Sequence, residues 1–103
     1  MKESLPDISI IIVSYNKPHF LRKCLDSLYH FHSNINLEII VIDNNSSEEN
    51  VELIKNNFPQ VYLIENKENV GFAKANNLGV KYAKGNILAF VNSDVEFISN
   101  IFD

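Results

Sequence analysis

Four short apolar runs punctuate the chain, at residues 8–14 (ISIIIVS), 37–42 (LEIIVI), 61–64 (VYLI) and 87–91 (ILAFV). They are rich in β-branched residues and hardly interrupted by polar ones. Such runs suit strands covered on both faces, as in a parallel sheet. Between them the apolar spacing lengthens to that of a helix. From Pro18, the positions Phe20, Leu21, Cys24, Leu25, Leu28 and Phe31 share one helical face, and Pro18 suits a first turn. Ser46-Ser47-Glu48-Glu49 reads as a capping box ahead of Val51, Leu53, Ile54 and Phe58. Gly71 opens a third helix carrying Phe72, Ala75, Leu78, Tyr82 and Ala83, and Gly85 is expected to stop it as a C-terminal cap.

Strands alternating with helices at this spacing predict right-handed crossovers and a doubly wound parallel α/β sheet. The expected architecture is Rossmann-like: about four strands in the order 3-2-1-4, with three helices, in one domain spanning residues 1–103. In an open parallel sheet, ligands bind beyond the carboxyl ends of the strands. Ser14, Tyr15 and Asn16 follow the first strand, and Asp43, Asn44, Asn45, Ser46 and Ser47 follow the second. Asn66, Asn69, Val70 and Gly71 follow the third, and Asn92, Ser93 and Asp94 follow the fourth. Every polar cluster of interest is therefore predicted at one edge.

Composition narrows the classes. With 46 % apolar residues in 103, the chain can bury a core. Net charge is −4 and no basic run occurs, which argues against a nucleic-acid partner. No apolar run approaches the ~20 residues that span a bilayer. MKESLPD at the start lacks the parts of a signal peptide, and the single cysteine builds no disulfide framework. A cytoplasmic location is expected, with a peripheral position at the membrane left open. Cys24 falls on the apolar face of its helix and reads as core rather than nucleophile. His19, His30 and His32 read as surface residues. Asn44, Asn45, Asn76 and Asn77 are as readily compositional as functional in so Asn-rich a chain.

No GxGxxG follows the first strand and no GxxxxGK[ST] occurs, which removes a dinucleotide site and a P-loop. A phospho-acceptor domain needs acidic residues where Ser14-Tyr15-Asn16 stands. A nucleotidyltransferase would show a Gly-rich basic loop where the chain has SYNKPHF. The blocks SIIIVSYN, VIDNNSSEEN, ENVGFAKANNLGV and ILAFVNSDV, in this order, resemble the N-terminal half of a family 2 glycosyltransferase with the GT-A fold. The resemblance runs from Ile8 to about Val95, and its last two blocks are similar to the rhamnosyltransferase-like branch.

That resemblance implies roles. Ser14, Tyr15 and Asn16 would line a nucleotide pocket, and Asp43 would accept the N3–H of uracil or thymine, since a carboxylate only accepts. Gly71 would allow close backbone approach, with Lys74 and Asn77 near the nucleotide and Lys74 a cation near phosphate. Asn92-Ser93-Asp94 would stand for the DxD-type motif, Asp94 holding Mg²⁺ or Mn²⁺ and Asn92 replacing the first carboxylate.

The implied protein is the donor-binding part of a metal-dependent inverting glycosyltransferase for cell-surface polysaccharide. Its donor would be a UDP- or dTDP-sugar, and its acceptor a saccharide or lipid-linked molecule bound by a longer protein. Neither Glu96 nor Asp103 matches the position of the catalytic base, so the chain is expected to be truncated and inactive alone. An unprotected apolar fourth strand would favour a homo-oligomer. The alternative is an interaction or scaffold module that kept the fold without the chemistry.

Overall fold

The computed structural model describes residues 5–101. The chain runs β1 (Ile8–Ser14), α1 (Pro18–Phe31), β2 (Leu37–Asp43), α2 (Glu48–Asn57), β3 (Tyr62–Glu65), α3 (Phe72–Tyr82) and β4 (Ile87–Asn92). The strands form one sheet in the order β3-β2-β1-β4, every pairing parallel. Architecture and strand order agree with the expectation, and the strand boundaries agree to within a residue.

Period-two alternation sorts each central strand between two cores. Ile10 and Ile12 of β1, with Ile39 and Val41 of β2, meet Leu21, Cys24, Leu25 and Leu28 of α1 and Ile54 of α2. On the other face, Ile11, Ile40 and Ile42 pack with Ala75 of α3. Small residues let α3 lie close: a Cβ on Gly79 would come within 2.7 Å of an Ile11 methyl.

The fourth run departs from its reading as a strand covered on both faces. Leu88 and Phe90 are exposed, because α3 lies over β1 and β2 and leaves this edge of its face uncovered, and Ile87 at the start of the strand is exposed on the other face. Two helix-end expectations also change. Ser47 is the N-cap of α2 but makes no side-chain capping bond. The Asp43 carboxylate accepts from the Ser46 N–H at 3.0 Å, so a turn at the end of β2 replaces the capping box. The third helix ends at Ala83 in extended backbone, not at a left-handed Gly85. Gly85 is needed for close approach instead. A Cβ there would lie 2.7 Å from the backbone nitrogen of Ser9, and the Gly85 N–H donates to Ser9 Oγ at 2.8 Å.

Among the described residues, no helix is long and apolar enough to cross a membrane.

Candidate functional site

The parallel register sets the strand ends level. Ser14 pairs with Asp43, and Val13 pairs with Asn92. Beyond this edge opens a cleft of about 680 Å³, bordered by Tyr15, Lys17, Phe20, Asn44, Asn69, Gly71, Phe72, Asn92, Ser93 and Asp94 together with Val13. The ends of β1, β2 and β4 and the loop after β3 all contribute. Of the residues singled out from sequence, Tyr15, Gly71, Asn92, Ser93 and Asp94 come together here.

Two others lie inside the protein rather than on the cleft wall. Ser14 is fully buried and Asp43 is 2 % exposed. Asn50 of α2 joins them, donating to Ser14 Oγ at 2.8 Å and to Asp43 Oδ1 at 2.9 Å. With the Ser46 bond, each Asp43 oxygen already accepts one hydrogen bond from the chain. The arrangement ties the ends of β1 and β2 to the start of α2. Among the described residues, Asn50 Oδ1 is the one buried side-chain oxygen or nitrogen without a hydrogen-bond partner.

Asn16 supports the loop after β1. Its N–H donates to Ser46 Oγ at 2.6 Å, and its side-chain oxygen accepts from the Ser47 N–H at 3.0 Å. Lys74 and Asn77 do not border the cleft. They line a separate hollow with Asn66, Val70, Leu78 and Lys81. The helical turn that brings Ala75 onto the sheet directs these two positions elsewhere.

The residue that sequence undervalued most is Asn44. Its amide donates to Asn69 Oδ1 at 2.9 Å and to the Gly71 carbonyl at 3.3 Å. Its oxygen accepts from Asn66 Nδ2 at 3.2 Å and from the Val70 N–H at 3.1 Å. Two donors and two acceptors exhaust the side chain. Asn44 therefore shapes the loop that presents Gly71, whose φ of 86° favours glycine.

Phe20 and Phe72 also depart from expectation. Their spacing fits the apolar helix faces, yet they are 45 % and 59 % exposed and border the cleft. Each sits in the first turn of its helix, next to the strand ends and outside the packed layers.

The stretch after β4 folds back onto α1. Phe97 N–H donates to Ser27 Oγ at 2.9 Å, and Ile101 N–H donates to His32 Nε2 at 3.1 Å. His32 is thus buried, not a surface residue, with Nδ1 2.8 Å from the Leu28 carbonyl. Cys24 is core, as expected. Burial pushes its thiol up to about 12, and the Asp94 charge adds to the shift. A thiol held protonated is no nucleophile. Asp103 lies outside the described residues.

Among the described residues, no group of three His, Cys, Asp or Glu side chains could hold a metal. Asp94 is the one carboxylate on the cleft, with the oxygens of Asn92 and Ser93 beside it in sequence. That donor set does not make an all-protein metal cage. It does fit a hard cation that keeps its waters and shares phosphate oxygens, as Mg²⁺ does.

Comparison with known proteins agrees with this architecture. The model of the family "Glycosyl transferase family 2" matches residues 9–100, and the chain belongs to that family. It is 34 % identical over 106 residues to the uncharacterized glycosyltransferase YibD of Escherichia coli, covering 100 % of this chain and 30 % of that protein. It is 35 % identical over 89 residues to glycosyltransferase GlyA of Streptococcus pneumoniae, covering 84 % of this chain and 13 % of that protein. The chain thus spans under a third of either relative. The mannosyltransferase PcManGT from Pyrobaculum calidifontis, solved in complex with GDP-Man and Mn²⁺, superposes with a TM-score of 0.79 at 24 % identity. That superposition covers 91 % of this chain and 29 % of the other, and the shared architecture is the GT-A fold.

Proposed function

We propose that the chain is the nucleotide-sugar-binding part of a metal-dependent inverting glycosyltransferase. One observation carries the reading: Tyr15, Gly71 and Asn92-Ser93-Asp94, from separate strand ends, converge on a single cleft. A donor diphosphate lies at the Asp94 side of that cleft, and the base lies toward Tyr15. Asp94 would hold Mg²⁺ or Mn²⁺, with Asn92 and Ser93 as the neighbouring neutral oxygens. When bound, the ion supplies charge neutralisation to the departing diphosphate. PcManGT, with its GDP-Man and Mn²⁺, supports a donor and a divalent ion in this fold.

A UDP- or dTDP-sugar is the proposed donor. Asp43 stays the candidate acceptor for the base, through the lone pair each oxygen retains. Its burial makes this contact dependent on movement of the Ser46 turn. Ser14 and Asn16 support the pocket from within, and Lys74 and Asn77 receive no donor contact. The acceptor, a saccharide or lipid-linked molecule, and the base that deprotonates it belong to a longer protein. We place that protein in the cytoplasm, at or near the membrane, in cell-surface polysaccharide synthesis, within the rhamnosyltransferase-like branch.

Calorimetric titration with UDP, dTDP and GDP, with and without Mg²⁺, tests the reading. UDP or dTDP is expected to bind more tightly with Mg²⁺, and Asp94→Asn is expected to abolish the metal effect. Binding that ignores both the metal and Asp94 would sink it and favour the scaffold alternative, to which Asn92 in place of a carboxylate already lends weight.

A further inference from the structure

We propose that Lys17 is the phosphate-binding cation of the cleft, a role that rests on the donor-site reading above. Among the described residues bordering the cleft, Lys17 is the one with a positive charge, and Asp94 is the one with a negative charge. No salt bridge joins them, and the Lys17 ammonium has no ion-pair partner among the described residues. One cleft thus presents an unpaired cation and an unpaired carboxylate. A diphosphate carrying a divalent ion complements both, its oxygens meeting the ammonium and its metal meeting Asp94.

Local structure gives no reason for a lysine at this position. Asn16 and Lys17 have φ of 55° and 56°, two successive non-glycine residues in left-handed backbone. Glycine would take that conformation without steric cost. Lys17 is also the N-cap of α1, where Ser, Thr, Asp or Asn would offer an acceptor to the first turn, and it makes no such bond. A cation at a helix N-terminus further opposes the helix dipole. Steric preference, capping and electrostatics all disfavour the residue. The bonds between Asn16 and the Ser46-Ser47 turn hold the conformation nonetheless. A lysine that steric, capping and electrostatic preferences all disfavour, on the border of a binding cleft, fits a contact made to ligand.

The test compares UDP with uridine, in buffer containing EDTA so that phosphate affinity is read without metal. Lys17→Met is expected to weaken UDP about tenfold, the size of one charge-assisted hydrogen bond, and to leave uridine unchanged. Lys17→Gly is the second variant. It relieves the left-handed strain, so its unfolding midpoint should equal or exceed that of the wild type while UDP weakens as in Lys17→Met. Three results overturn the inference alone: both variants binding UDP like the wild type, an equal loss of UDP and uridine, or a tenfold loss of UDP in Lys74→Met instead. A wild-type chain that binds UDP only with Mg²⁺ and not in EDTA also overturns this inference alone, whereas one that binds UDP under neither condition overturns the donor-site reading and this inference with it.

Discussion

At the scale of single residues, the site rests on side chains whose hydrogen bonds are nearly all committed. Asn44 is the clearest case. Asp at this position could not donate to Asn69 Oδ1 or the Gly71 carbonyl, and it would set a buried negative charge against both oxygens. Asn44→Asp is expected to cost about 2 kcal/mol. Urea denaturation reads that loss directly, and a variant with an unchanged midpoint contradicts the four-bond account. Cys24 and Tyr29 give a pH prediction. Burial, then the Asp94 charge, raises the Cys24 thiol from 9.0 to about 12, and burial raises Tyr29 from 10.0 to about 12. The folded chain keeps protons that the unfolded chain releases. The associated stability is whole below the unfolded values and is lost as pH climbs from 9.0 through about 12. Unfolding free energies measured across that window should fall, and Cys24→Ala should fall less steeply. Equal slopes would show that the thiol contributes nothing. Composition could not reveal Asn44 or the burial of His32, because the partners of Asn44 lie in the loop after β3 and His32 is covered by the distant stretch that carries Phe97 and Ile101. An Asn-rich chain also hides a structural asparagine among compositional ones.

At the scale of elements, strands were legible because their pattern is a direct consequence of burial. A β-branched run reads the same whether a helix covers it or not, which is why β4 passed for a buried strand. Its alternation shows what is uncovered. Phe90 pairs with Ile11 in the sheet, on the face where α3 packs, yet it is 54 % exposed. Leu88 on the same face is 40 % exposed. An apolar strand at a sheet edge offers unpaired backbone groups and side chains together. This chain is expected to associate through β4 as its concentration rises, and Phe90→Lys should restore a monomer in light scattering. A wild-type chain that stays monomeric at high concentration excludes the interface. Helix ends were read less well. The capping box failed because Asp43 captured the Ser46 N–H first, and Gly85 was read as a cap when its lack of a Cβ serves the approach to Ser9.

At the scale of the whole molecule, the parallel sheet converts four separate polar clusters into one site. That the strand ends share one edge follows from the order of elements, and the register of β1, β2 and β4 sets those ends level. What the order could not show is which residues stand on the cleft wall and which support it from within. Ser14 and Asp43 support the wall, while Lys17, Phe20 and Phe72 stand on it. Donor binding at this cleft is read residue by residue in an amide NMR titration of this chain with UDP, dTDP and GDP, each with and without Mg²⁺. A donor site at the cleft should concentrate shifts at Tyr15, Lys17, Gly71 and residues 92–94, with a uracil or thymine base preferred and Mg²⁺ strengthening the effect. Shifts centred on the Lys74 and Asn77 hollow, or none at millimolar ligand, would contradict it.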